Sequence, residues 1–380
     1  MEPQQVVINF EKVLDDFISL HDGVEQRGQA WYASMAYTVG GSEVSALMGK
    51  SPYADKYDIM LRKIATIKGE ERRSLGDACS WGTIFEDVVG SYVSIDIGSQ
   101  LKGDSICIQK YKGHRNSPDG YIIAKFYHED GELKLWTTDQ DERDDTIDMI
   151  LLLEFKCPLL RKPRAGFVPD VYIPQVWSGL MVTPVANQGL FVDSVFRKCS
   201  IGDFEYIQYE NKRVCRQMDP TYDTTYHTRD CISKKYTNPI AWGVIGIYSD
   251  VLKPFIDLGT ASNDTFSNYL QKIETKEYNI KHLLPCFADG RGREFIRIEE
   301  DIETLNDETP EGYHLIAVLP WKLFEIHYVF VQRRVNFIHE VYGLIQEVHN
   351  TVKDAMQTTH PEKYVSQLKR YVPSLDELMS

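Results

Sequence analysis

Glu154 and Lys156 stand two residues apart inside LLLEFKCP, residues 151–158, a run that is otherwise apolar. In a strand, residues i and i+2 point to the same face, so this acid and base project together while Leu153 and Phe155 project opposite. Buried charges are costly unless they are paired or bound to a metal. The Glu-x-Lys pattern recurs at Glu132, Glu210 and Glu274, but only the copy at 154 lies in a run apolar enough to form a central strand. Upstream, NSPDGYIIAKF places Asp119 behind a proline and ahead of a glycine, at the start of the preceding predicted hairpin. A carboxylate entering one strand and a Glu-x-Lys leaving its neighbour can converge at one end of a sheet. Two hard oxygen donors, with the Phe155 backbone carbonyl between Glu154 and Lys156, suit Mg²⁺ or Mn²⁺, which keep several waters and accept phosphate oxygens. Lys156 would then hold or deprotonate a water, or offset charge growing on phosphorus.

Several elements must position these groups. Between 105 and 156 the hydrophobic period is two: SICIQKY, GYIIAKFY, the turn HEDG, ELKLW, an acidic segment, then MILLLEFK. This predicts an antiparallel meander whose last strand, apolar on both faces, is central. Asp170 is placed to cap a helix starting near 171 and running through YIPQVWSGLMV, with Pro174 in its first turn. Strands GLFVDSVF and EYIQYENK follow. Towards the N-terminus, VVINFEKVLDDFISLH predicts an amphipathic helix, and Gly40, Gly41 and Ser42 mark a loop. LGDACSWGTIFEDVVGSYV sets Trp81, Phe85, Val88, Val89 and Tyr92 on one helical stripe, expected in the core. Residues 238–292 read as short helical pieces and 321–356 as a long amphipathic helix or helical pair, with ADGRGREF a turn rather than a phosphate loop. The expected fold class is α/β (α+β): a central mixed sheet flanked by helices, with C-terminal helical additions. The expected division is an N-terminal helix over 1–26, a core over 27–237 and a mainly helical extension over 238–380.

With 380 residues, 43% hydrophobic and 12% aromatic, the chain can bury a substantial core. No run approaches the roughly 18 apolar residues needed to cross a bilayer, and the N-terminus lacks the pattern of a signal peptide, so an intracellular protein without a membrane is expected. Cysteines at 79, 107, 157, 199, 215, 231 and 286 form no CxxC and no zinc-spaced cluster, which reads as reduced thiols; nothing in their spacing suggests an iron–sulfur centre. A net charge of −14 on its own argues against a nucleic-acid partner. The charge is segregated, however: DQDERDDTID at 139–148, read as a solvated loop, carries six carboxylates against one arginine. Basic residues gather at Arg161, Lys162 and Arg164, at Arg197 and Lys198, at Lys212, Arg213 and Arg216, and at Lys234 and Lys235. A basic cleft on an acidic body is compatible with that pattern.

Taken singly, each candidate has a plainer reading: Glu154 with Lys156 an ion pair, Asp119 a turn residue, Glu86 a helix edge, Gln175 a surface glutamine. In order along the chain, SWGTIFE with Glu86, SPDGY with Asp119, LEFKCP with Glu154 and Lys156, and YIPQVWSGL with Tyr172 and Gln175 resemble the PD-(D/E)xK nucleases. Within them the resemblance is to the lambda-type exonucleases, also called YqaJ-like viral recombinases, and most to those of large DNA viruses. AWYASMAYTVGGSEV resembles the segment that opens that domain, and the likeness covers residues 27–200.

The resemblance implies a restriction-endonuclease-like core that hydrolyses double-stranded DNA from the 5′ end to mononucleotides. Asp119, Glu154 and the Phe155 carbonyl would hold two Mg²⁺ or Mn²⁺ ions, Glu86 would reach them directly or through water, and Lys156 would position the attacking water. Gly82, one turn before Glu86, would leave room for metal or DNA, and Gln175 would orient Lys156 or a phosphate. Where the family repeats its glutamine this chain has Trp177, and where it carries an arginine for a terminal 5′-phosphate this chain has Met35. Ser42 and Ser117 remain as phosphate donors, Arg27 or Arg164 could supply the missing charge, and Arg161, Lys162 and Tyr172 are further DNA contacts. Expected partners are duplex ends, a single-strand annealing protein and further copies of the chain in a ring. The expected setting is viral DNA recombination, replication or repair in the host cytoplasm or nucleus. An endonuclease or structure-specific nuclease of the same superfamily, and a catalytically silent DNA-binding scaffold, are the alternatives.

Overall fold

The computed structural model describes residues 8–21, 34–70, 76–204, 208–210, 213–215, 239–294 and 297–370. Its helices in chain order are α1 (Phe10–Ser19), α2 (Val44–Leu47), α3 (Lys56–Ile67), α4 (Asp77–Ile97), α5 (Ile173–Val182), α6 (Asn263–Glu274), α7 (Ile298–Asp307), α8 (Phe337–Met356) and α9 (Pro361–Arg370). Its strands are β1 (Val39–Gly40), β2 (His114–Arg115), β3 (Gly120–Glu129), β4 (Glu132–Leu135), β5 (Ile147–Lys156), β6 (Gln188–Lys198), β7 (Gln208–Glu210), β8 (Arg213–Cys215), β9 (Ala241–Ser249), β10 (Ile256–Asp257), β11 (Asn279–His282), β12 (Cys286–Phe287) and β13 (His314–Val331). Among the described residues no helix is long and apolar enough to cross a membrane.

The main sheet runs β11-β9-β13-β6-β5-β3-β4. It is mixed: β5 lies antiparallel to β3 and parallel to β6, and β13 is antiparallel to both β6 and β9. Residues Ile150 to Phe155 are buried on both faces, as a strand inside a sheet requires. The β3–β4 hairpin turns on Asp130 and Gly131 at φ 53 and 80, the left-handed pair that matches strand twist. Helices cover both faces. On one, Trp81, Phe85, Val88, Val89 and Tyr92 of α4 pack with Phe196, Trp321 and Phe266. On the other, Leu14 and Phe17 of α1 and Val176 and Leu180 of α5 pack with Tyr121, Leu152 and Phe191.

Several expectations need correction. Residues 238–380 add strands as well as helices, because β9 and β13 lie inside the sheet, between β11 and β6. Helix over 321–356 holds only from Phe337, and Trp321 to Phe330 belong to β13. This stretch is β-branched and aromatic, begins beside Pro320 and lies between two strands. Its aromatic residues Trp321, Phe324 and Tyr328 stand three and four apart, so the run imitates a helical stripe. SICIQKY forms no strand: Ile106 and Ile108 are buried, with an isolated bridge between Ile108 and Asn116 and a hydrogen bond from the His114 N–H to the Tyr111 carbonyl. The Gly40–Ser42 loop is instead β1 followed by a 3-10 turn over Gly41–Glu43. Asp170 does not cap α5, whose N-cap is Tyr172 with no side-chain cap, although Pro174 does sit in the first turn. EYIQYENK lies largely outside the described residues; of it, Gln208–Glu210 pairs with β8.

Candidate active site

The register of β3 against β5 decides the geometry. Gly120 pairs with Leu153, so Asp119, one residue before β3, arrives beside the end of β5 that carries Glu154. Gly120 has φ 143, and a Cβ there would meet Leu101 at 2.9 Å, so the turn that delivers Asp119 requires glycine. The Asp119 carboxylate Oδ2 accepts the Phe155 N–H at 2.6 Å. Lys156 Nζ donates to Glu154 Oε1 and lies 5.2 Å from the centre of the Tyr172 ring. Glu86, on α4, acts electrostatically on both Glu154 and Cys157, which puts its charge in the same neighbourhood. A Cβ at Gly82, one turn earlier on α4, would meet nothing within 4 Å, so the space in front of that helix face is open.

Burial pushes the Glu154 carboxyl well above the usual carboxylate range; Asp119 and Glu86 add to the rise and Lys156 opposes it. Burial acts against the Lys156 ammonium too, but Glu154 and Asp119 outweigh it and hold that group above the ordinary lysine range. In this arrangement the Lys156 ammonium is a hydrogen-bond donor to Glu154.

Among the described residues no group of three or more His, Cys, Asp and Glu side chains stands in ready ligating geometry. Asp119 is turned to the Phe155 amide and Glu154 to Lys156. The donor chemistry nevertheless fits a hard divalent cation. Glu86 and Asp119 raise the proton affinity of Glu154, which is only 4% exposed. A divalent ion relieves that repulsion, and carboxylate oxygens are the ligands Mg²⁺ and Mn²⁺ take.

The other candidates divide into two groups. β1 and β2 pair in parallel, with Val39 opposite His114 and Gly40 opposite Arg115; Ser42 follows β1 in the Gly41–Glu43 turn and Ser117 follows β2 by two residues. A Cβ at Gly41 would fall 2.2 Å from Asn116 Nδ2, a close approach only glycine allows. Ser42 is exposed and Ser117 half-buried. Gln175 is half-buried in the first turn of α5, and the Lys156 ammonium is hydrogen-bonded to Glu154 rather than to it. Lys162 and Arg164 are on the loop after β5, Arg164 exposed and lying against Phe167. Arg161 is instead committed to Asp193, at 2.6 and 2.7 Å. Arg27 lies outside the described residues.

Sequence reasoning missed a buried charge cluster behind Ser42. Glu43 Oε2 accepts from Lys63 Nζ at 2.9 Å and from the Gly40 N–H at 2.7 Å, and Lys63 Nζ also reaches the Met35 carbonyl at 3.3 Å. Lys63 is 3% and Arg115 5% exposed. A signal was present: Lys63 falls on the apolar stripe of Ile59, Met60 and Ile64 in α3. Asp193, a lone acid in LFVDSVF, was likewise visible and passed over.

His114 lies beneath the same turn, fully buried, with Nε2 2.8 Å from Ser178 Oγ. Burial, with the neighbouring Arg115 charge, lowers its pKa to about 4. An unfolded histidine takes its proton near 6.5, so this contribution is intact above about pH 6.5 and is lost as pH falls towards 4. Acidification from pH 7 to 5 is expected to remove about 2 kcal/mol of stability through this one group. Urea midpoints of wild type and His114→Gln across that range check it, and equal slopes in the two proteins would refute it.

Residues 30–186 match the family model of the YqaJ-like viral recombinase domain. A protein of African swine fever virus is 28% identical over 342 residues, covering 88% of each chain, in both the Badajoz strain and a Malawi tick isolate. Among solved structures, the alkaline exonuclease LHK-Exo of Laribacter hongkongensis aligns with a TM-score of 0.30 at 20% identity, over 44% of this chain and 74% of its own. LHK-Exo in complex with dAMP aligns with 0.31 at 22%, over 44% and 73%.

Proposed function

We propose, from the premise that residues 30–186 carry a YqaJ-like viral recombinase domain, that this chain is a metal-dependent exonuclease shortening duplex DNA from its 5′ ends to mononucleotides in viral DNA recombination and replication. The observation that carries the reading is the delivery of Asp119 beside Glu154 and Lys156 by the β3–β5 register.

Asp119, Glu154 and the Phe155 carbonyl, with Glu86 from α4, would hold Mg²⁺ or Mn²⁺, which would polarise the phosphate and make a bound water more acidic. In the hydrolysis a water oxygen bonds to phosphorus, the P–O3′ bond breaks, and the 3′ oxygen leaves with a proton. A free nucleotide and a new 5′-phosphate on the duplex result. Lys156 keeps its proton and donates through Nζ to the water or to a phosphate oxygen, where it offsets growing negative charge. Ser42 and Ser117, each two residues beyond its strand of the β1–β2 pair, would offer hydroxyl donors to the phosphate backbone. Assembly into a ring and handover to a single-strand annealing protein belong to the same reading.

The test is a linear duplex labelled separately at each 5′ end, with and without a 5′-phosphate, incubated in Mg²⁺, Mn²⁺ or EDTA. Immediate release of labelled mononucleotide that EDTA abolishes is the expected result. Internal fragments would identify an endonuclease, and retained binding without cleavage a DNA-binding scaffold.

A further inference from the structure

We infer that Arg161 and Asp193 form a positioning pair that keeps Lys156 on Glu154; its catalytic consequence rests on the nuclease reading above. Asp193 lies in β6 level with Lys156 across the parallel ladder, so the two side chains project to one face. Asp193 is fully buried, and a buried carboxylate has to be paired. Arg161 supplies the partner from the loop after β5: Nη1 donates to Oδ2 at 2.6 Å and Nη2 to Oδ1 at 2.7 Å, a two-pronged fork.

Both cations rest on one ring. Lys156 Nζ is 5.2 Å and Arg161 Cζ 5.7 Å from the centre of Tyr172, which stacks on Phe191, two residues before Asp193 on the same strand. Besides Glu154 on its own strand and Asp119, both of which act on its charge, Lys156 has a further carboxylate, Asp193, level with it on the next strand. The Arg161 fork occupies both oxygens of Asp193 and leaves Glu154 as the partner of Lys156. Without the guanidinium, Asp193 is a bare buried charge beside an ammonium, and Lys156 turns to it. A lysine at 161 gives one point charge instead of a fork and leaves one Asp193 oxygen open. Arg161 acts through Lys156, and a direct grip on DNA phosphate has a different signature: weaker duplex binding and a salt dependence shallower by about one unit of slope.

The experiment uses the full chain and the variants Arg161→Met, Arg161→Lys and Arg161→Met with Asp193→Asn. Expected for Arg161→Met is a fall in kcat of about 10²-fold on linear duplex with KM and salt slope unchanged. Its crystal structure should show Lys156 Nζ on Asp193. Arg161→Lys, which preserves a charge on Asp193 and so the fold, should fall about 10-fold. In the double variant the competing charge is gone, Lys156 returns to Glu154, and kcat recovers to within about 3-fold of wild type. Lys156 still on Glu154 in Arg161→Met, a raised KM at unchanged kcat, or a double variant no faster than the single would each overturn the inference. A wild-type chain that cleaves no DNA would sink the nuclease reading alone, since the crystallographic comparison still decides where Lys156 goes.

Discussion

Lys156→Ala is expected to slow release of mononucleotide from a linear duplex by about 10²–10³-fold. Lys156 is the ammonium hydrogen-bonded to Glu154, and its loss acts twice. The positive charge that would meet the phosphate disappears, and Glu154 loses the influence that draws its carboxyl down against burial, Asp119 and Glu86. The carboxylate that would hold the metal then keeps its proton to higher pH. Raising the Mg²⁺ concentration should therefore recover part of the rate, because added ion competes with that proton. Single-turnover rates at several Mg²⁺ concentrations measure both effects, with the thermal midpoint as a check on folding. An activity above a tenth of wild type in a normally folded variant would remove Lys156 from the chemistry.

Glu43→Gln is expected to cost about 3–5 kcal/mol, the range for breaking a buried pair from one side. Burial pushes the Glu43 carboxyl up, yet Lys63 and Arg115 more than reverse this and hold it below the usual range. Burial pulls the Lys63 ammonium down, with Glu43 opposing. With glutamine at 43, Lys63 stays buried beside the Arg115 charge with no counter-charge, held by the Met35 carbonyl and at most a neutral amide oxygen. The same carboxylate fixes the Gly40 amide, so the turn that presents Ser42 loosens as well. Urea unfolding followed by tryptophan fluorescence gives the number, and a loss under about 1 kcal/mol would mean that water already screens the pair.

The chemistry was legible where local pattern and long-range consequence coincide. Glu154 and Lys156 could be placed on one face of a buried strand because a period of two and an apolar run are properties of eight neighbouring residues. Asp119 could be placed because Pro-Asp-Gly announces the start of the next strand. Glu43, Lys63 and Arg115 could not be joined, since each is ordinary in its own window and only tertiary contact between α3, the Gly41–Glu43 turn and β2 buries them. Arg161 was read as a phosphate contact because a basic loop looks solvated until its carboxylate partner, 32 residues away in β6, is known. Strand β13 was misread because Trp321, Phe324 and Tyr328 stand three and four residues apart, a spacing that also suits one face of a helix.

That central strand also sets a timetable for the protein's birth on the ribosome. β5 and β6 emerge with Glu154, Lys156 and Asp193, but β13, the neighbour of β6 on its other side, begins 116 residues after β6 ends, at His314 against Lys198. At synthesis rates of about 5–20 residues per second, the backbone edge of β6 waits several seconds for its partner. An open apolar edge is a template for pairing with another chain. Nascent chains paused before residue 314 should accordingly be the ones that recruit chaperones, and slower translation of that interval should lower the soluble yield without altering the finished protein.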